Sequence, residues 1–240
     1  MTKLSVNVNK LATLRNSRGK NNPDVLKSSL EIIRYGAQGI TVHPRPDGRH
    51  IRKEDVYQIA QAINVEFNIE GYPDKDFLTL VKEVKPSQCT LVPDPPHVLT
   101  SNAGWQIEKN VSFLKDTVAE LHEYNIRTSL FIDPFHMSSQ DIALLKTTGT
   151  DRVELYTEAY ADTYGTAEGT TTLAAYQRVA QAVNALGIDL NAGHDLNLEN
   201  LRYFVQAIPT IQEVSIGHAL ICDALHYAHH HQAGALGGKK

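Results

Sequence analysis

Three residues far apart in the chain, His43, Glu70 and His194, can transfer protons near neutral pH. Histidine does so at its ordinary pKa, and a glutamate does so once burial raises its own. Each stands at the end of a short run with β character, in "GITVH", "FNIE" and "LNAGH", and Glu154 lies in another, "RVELY". Groups suited to anions surround them. Arg45 and His50 flank a tight Pro-Asp-Gly turn in "HPRPDGRH", and a guanidinium grips a phosphate through two parallel hydrogen bonds. Asn7, Asn9 and Lys10 follow the first β-type run, and Arg15, Asn16 and Arg18 come soon after. Gly193 before His194, and Gly217 before His218, let backbone N–H groups and a helix N-terminus approach a phosphate closely. Thr100 offers a hydroxyl from the long segment "PDPPHVLTSNAGW". Two anion sites with acid–base groups between them suit a substrate, or a pair of substrates, carrying two phosphates.

These side chains can meet only if the fold gathers strand ends from across the chain. Eight β-type runs are legible: Leu4–Val8, Gly39–His43, Glu66–Glu70, Gln88–Val92, Arg127–Ile132, Arg152–Leu155, Asp189–Ala192 and Glu213–Ile216. Helical patterns follow at Pro23–Tyr35, Lys53–Ala62, Lys75–Val84, Gln106–Tyr124, Ser139–Thr147, Leu173–Leu186, Leu198–Gln206 and Ala219–His230. Pro23 suits a first helical turn, Ser138 or Ser139 an N-cap, and Gly36 and Gly187 fall where helices should stop. Strand–helix alternation over eight units predicts an α/β fold, a single (β/α)8 barrel domain spanning 1–240 with a short frayed tail from about residue 232. An open doubly wound sheet is the rival, but the first turn lacks G-x-G-x-x-G. In a barrel, chemistry belongs where the strands end.

Composition narrows the function. The 240 residues are 42% hydrophobic and carry a net charge of -4, so no strong basic field points to nucleic acid. No run is long enough to cross a membrane, and "MTKLSVNVNK" is not a signal peptide. Two cysteines far apart, Cys89 and Cys222, suggest no disulfide framework and fit a reducing cytoplasm. His43, His50 and His194 lack the i, i+4 spacing of a zinc motif, so no metal is expected. No G-x-S-x-G elbow supports a serine hydrolase. Another phosphosugar isomerase or aldolase remains open, with Lys10 as the Schiff-base candidate. So does a non-catalytic binder of the same ligand.

Seven segments, in order, resemble the pyridoxine 5'-phosphate synthase family: "VNVNKLATLRNSRG", "GITVHPRPDGRHI", "FNIEG", "LVPDPPHVLTSNAGW", "RVELYTEAYA", "LNAGHDLNLENL" and "VSIGHALI". The resemblance runs from about Leu4 to Ile221. It implies a (β/α)8 barrel assembled as a homo-octamer without cofactor. It implies ring closure between 1-deoxy-D-xylulose 5-phosphate and 3-amino-2-oxopropyl phosphate, giving pyridoxine 5'-phosphate, phosphate and water. By position, His43 and Glu70 would be general bases, His194 a proton donor and Glu154 a transition-state stabiliser. Arg45, His50 and Thr100 would hold the deoxyxylulose phosphate. Asn7, Arg18, the backbone at Asp195, Gly217 and His218 would hold the aminoketone phosphate. Two departures stand out. Asn9-Lys10 replaces the Asp-His of the best-known members; Asn9 can still hydrogen-bond to substrate hydroxyls, and Lys10 can pair with a phosphate. Asp195 stands where Gly is frequent, and Asp tolerates unusual backbone angles better than most residues.

Overall fold

The structure is a computed structural model. It describes residues 1–93 and 104–237, with side chains as far as residue 228. Eight parallel strands close on themselves: β1 (Lys3–Asn7), β2 (Gly39–Val42), β3 (Glu66–Gly71), β4 (Gln88–Leu91), β5 (Arg127–Ile132), β6 (Arg152–Tyr156), β7 (Asp189–Gly193) and β8 (Ile211–Ile216). Each pairs with its successor, and β8 pairs back onto β1, so the sheet has no edge. Around it run α1 (Asn9–Asn16), α2 (Val25–Arg34), α3 (Lys53–Ala62), α4 (Lys75–Val84), α5 (Ile107–Glu123), α6 (Ser139–Thr148), α7 (Glu158–Thr163), α8 (Gly169–Ala185), α9 (Leu201–Ala207) and α10 (His218–Gly237). The expected single-domain (β/α)8 barrel is thus the observed architecture.

The strands match expectation to within a residue or two. Two short helices, α1 and α7, go beyond the predicted set. Helix α2 starts at Val25 rather than Pro23, because Asp24 caps it by accepting from the Lys27 N–H at 2.9 Å. Ser138 caps α6, as its position predicts: its hydroxyl accepts from the Asp141 N–H, and the Asp141 carboxylate accepts from the Ser138 N–H. Helix α10 continues through Gly237, past the expected end at His230 and across the start of the expected frayed tail.

Period-2 alternation sorts the strand side chains. Ile40, Ile69, Leu91, Leu130, Leu155 and Leu190 point outward and are fully buried against Ile59, Leu80, Leu114, Leu121 and Val179 of the helices. The apolar core is therefore a sleeve between sheet and helices. Below the aromatic pair Phe131 and Tyr156, the barrel interior is mostly polar. The Ser5 and Thr41 hydroxyls lie 2.7 Å apart, and Thr90 donates to Asn68 Oδ1 at 3.0 Å. At the N-terminal ends of the strands, Arg127 and Arg152 both pair with Glu66. This hydrogen-bonded floor lies beneath the opposite rim, where the strands end. Among the described residues, no helix is long and apolar enough to cross a membrane.

Candidate active site

A cavity of about 580 Å3 opens at the C-terminal ends of the strands. His43, Glu70, Glu154 and His194 all line it, although their strands lie far apart in sequence. So do Asn7, Asn9, Lys10, Arg45, His50, Asp195, Gly217 and His218. Of the two remaining expected residues, only Arg18 can be placed, and it does not line the cavity. Arg18 is exposed in the turn after α1, and Thr100 lies outside the described residues.

His43 and Glu70 sit side by side, Nδ1 to Oε2 at 3.9 Å. Burial first, then His50, Arg45 and His194, hold the His43 pKa down at about 3. Burial, together with the Glu213 carboxylate, pushes Glu70 up to about 8. The two shifts agree: near pH 7 the pair is a neutral imidazole beside a neutral carboxylic acid. His43 can accept a proton at once, whereas Glu70 must first give one up. Glu154 is raised well above the carboxylate range by burial and by Glu70 and Glu213. His50 is held at about 4, chiefly by burial and then by Arg45.

His194 is an exposed ring at the rim, braced by two aromatics. Tyr156 meets it edge-on at 5.1 Å between centroids and Phe131 at 5.3 Å. The Tyr156 hydroxyl donates to Glu158 at 2.5 Å. Tyr156 and Glu158 both line the cavity, and neither is among the residues predicted for it. Alternation could have found Tyr156, since it is two residues beyond the inward Glu154.

The loop after β7 is wound tightly. His194 and Asp195 take positive φ, 76° and 56°. The Gly193 and His194 carbonyls accept from the Thr157 hydroxyl, and Asn200 Nδ2 donates to the Asp195 carbonyl at 3.1 Å. Beside this loop, Gly217 is forced by close approach: a Cβ there would lie 2.7 Å from the Asn7 carbonyl oxygen. The N-terminus of α10 follows at His218, so its exposed N–H groups and dipole end face the cavity. Two strands round the rim from β8, the loop after β2 presents Arg45, Arg49 and His50 to the same cavity. Two anion-attracting walls therefore flank the proton carriers.

Asp195 brings negative charge to one of those walls. Asp195→Gly is expected to tighten inorganic phosphate about threefold, the effect of one solvent-exposed charge. Relief of the left-handed strain and the added freedom of the unfolded glycine each amount to about 1 kcal/mol and nearly cancel in stability. Titration calorimetry and thermal melts check both. Weaker phosphate binding would show that the carboxylate points away and serves another contact.

Asn9 does more than its sequence position predicts. Its Oδ1 accepts the His43 N–H at 2.9 Å, and its own N–H donates to Asn7 Oδ1 at 3.0 Å. It fixes the end of β2 as well as facing the cavity.

A closed parallel barrel with acid–base groups and cationic walls at its C-terminal rim defines the class: a barrel enzyme. Solved structures share the fold. Phosphoribosylanthranilate isomerase from Thermotoga maritima superposes with a TM-score of 0.56 at 13% identity, covering 91% of this chain and 88% of that one. N-acetylmannosamine-6-phosphate 2-epimerase from Clostridium perfringens gives 0.57 at 12% identity, with 90% and 86% covered. The family described as pyridoxal phosphate biosynthesis protein PdxJ matches residues 4–233, and the chain belongs to it. Relatives named pyridoxine 5'-phosphate synthase include one from Porphyromonas gingivalis, 54% identical over 94% of this chain and 93% of its own length. Those from Parabacteroides distasonis and Cytophaga hutchinsonii are 53% and 50% identical, each over 95% of this chain and 94% of its own length.

Proposed function

We propose that this enzyme is a pyridoxine 5'-phosphate synthase, joining 1-deoxy-D-xylulose 5-phosphate to 3-amino-2-oxopropyl phosphate with release of phosphate and water. The observation that carries this reading is the meeting of His43, Glu70, Glu154 and His194 in one cavity between two anion-attracting walls. Ring closure needs C–H protons removed, hydroxyls protonated as they leave, and developing charge stabilised. His43, neutral and half-buried, is the first base. Glu70 enters the cycle protonated and becomes the second base once it has released that proton. His194 at the rim donates to a leaving oxygen, and Glu154 faces charge that develops in the barrel mouth.

Arg45 and His50, with Thr100, hold the deoxyxylulose phosphate, and Asn9 and Lys10 add an amide and a cation beside it. Asn7, Asp195, Gly217 and His218 hold the aminoketone phosphate. The reaction requires no metal or organic cofactor. In a homo-octamer, the exposed Arg18 would reach the aminoketone phosphate in the site of a neighbouring copy. The free thiols of Cys89 and Cys222 suit the cytoplasm.

The test is direct. The purified chain, given both phosphates, should release inorganic phosphate and yield a product with the mass and absorbance of pyridoxine 5'-phosphate. Binding of that product with no turnover would leave only the non-catalytic reading. Native mass spectrometry tests the octamer.

A further inference from the structure

The loop after β2 carries Arg45, Arg49 and His50 into the cavity, yet residues 43–52 contain no helix or strand. Its own bonds, Gly48 N–H to the Arg45 carbonyl at 2.9 Å and the Arg49 N–H to Asp47 Oδ1 at 3.1 Å, shape it locally but do not tie it to the rest of the barrel. Three side chains beyond the rim contact it. Arg15 is only 3% exposed, and its guanidinium clasps Asp55 through Nη1 to Oδ1 at 2.5 Å and Nη2 to Oδ2 at 2.9 Å. Nη2 also reaches the His50 carbonyl at 3.3 Å. Arg15 Nε donates to Asn16 Oδ1 at 3.0 Å, which fixes the orientation of that amide. Asn16 Nδ2 then faces three successive carbonyls of the loop: His50 at 2.8 Å, Arg49 at 3.2 Å and Gly48 at 3.3 Å. Asp55 Oδ2 completes the set by accepting the Arg52 N–H at 2.8 Å, where α3 begins.

We infer that Arg15, Asn16 and Asp55 form a clamp that positions the loop's anion-binding side chains without touching substrate. A buried ion pair is a poor device for stability alone, because desolvation offsets most of its attraction. What this pair does is join three elements at one point: the end of α1, the loop and the start of α3. The start of α1 is tied to the same loop through Asn9 and the His43 N–H. Helix α1 therefore spans the loop from end to end, and Arg45, Arg49 and His50 are presented on a frame held at both ends.

The inference rests on the reaction proposed above, and it predicts an asymmetric effect. Asn16→Asp keeps the shape of the side chain but cannot donate, and sets a carboxylate against three carbonyls. Asn16→Ala simply removes the donors. Misplacing a binding group by a fraction of an ångström costs about tenfold or more in apparent affinity. Each variant should raise KM for 1-deoxy-D-xylulose 5-phosphate about tenfold, leave KM for the aminoketone phosphate unchanged, and hold kcat within about threefold. General loosening of the barrel would not single out one substrate. Unchanged KM values in a folded variant, or parallel rises for both substrates, overturn the clamp. If Asn16→Asp does not fold, Asn16→Ala decides. If the parent chain gives no product, the proposed reaction fails, and inorganic phosphate titration judges the clamp separately. Weaker phosphate binding in the variants then supports it, and identical isotherms end it.

Discussion

Glu70→Gln lowers kcat by about 10³-fold, within the range for losing a general acid–base group, and raises the melting temperature of the empty protein at pH 8 and above. The two effects have one cause. Glutamine matches the shape of the protonated acid that the empty barrel holds, but it can neither give nor take a proton. KM should stay within a few-fold, because the phosphate sites proposed at Arg45, His50 and the α10 N-terminus are left intact. A variant that turns over like its parent removes Glu70 from the chemistry.

The stability half follows from linkage. The Glu70 pKa is about 8 in the folded protein against an ordinary 4.5. Between those values the native state keeps a proton that the unfolded chain has lost. The stabilisation from the neutral acid is full below 4.5 and is lost as pH rises through 8. His43 works in the opposite sense. Its folded pKa of about 3 lies below the ordinary 6.5, so its contribution is present above 6.5 and lost as pH falls toward 3. The glutamine of the variant cannot ionise, so only the alkaline loss disappears. Parent and variant should melt together near pH 4 and diverge above it, by on the order of a few kcal/mol at the plateau. That corresponds to several degrees in a chain of this size. Identical melts at every pH would mean that Glu70 is not held neutral. In the proposed reaction, the group that the barrel destabilises when charged is the one that moves the proton, a trade of stability for activity.

The barrel is legible in the sequence because its strands are bounded by turn residues and buried on their outward face. Gly39–Val42 and Arg127–Ile132 are bracketed by polar or glycine-rich segments and carry Ile, Val and Leu in alternation. Helix α1 is not legible, and the reason is physical. In Asn9–Asn16 the buried residues are Ala12 and Arg15. No apolar stripe marks the helix, because an arginine holds a buried position and satisfies it by pairing with Asp55, far along the chain. Without the helix, Lys10, Arg15 and Arg18 read as three equivalent cations in a polar loop. The helical turn sorts them: Lys10 to the cavity, Arg15 to the clamp and Arg18 to solvent. Motif spacing locates the proton carriers. It does not show that Glu70 rests in its acid form, since that depends first on its burial and then on Glu213, which reaches the same interior from β8.

Gly193→Ala should lower kcat at least about 100-fold, although it adds one methyl group to a residue with no assigned contact to substrate. At Gly193 a Cβ would lie 2.2 Å from Glu154 Oε1. Glu154 is 2% exposed and sits on the neighbouring strand, where Tyr156 pairs with Gly193 and Leu155 with Ala192. The closed sheet prevents backbone retreat, so the carboxyl must swing aside, at a cost of about 1–3 kcal/mol for overpacking. Glycine is needed here for room, since the backbone at 193 is not in the left-handed region that begins at His194. The double variant Gly193→Ala with Glu154→Asp separates the two consequences. Shortening the acid by one methylene clears the space that the new Cβ takes, so thermal stability should return toward the parent. Activity should not return, because the carboxyl then stands about 1 Å short of its working position. Full recovery of turnover in the double variant would show that the Glu154 carboxyl acts from more than one position. A single variant as active as the parent would show that the carboxyl takes no part in the reaction.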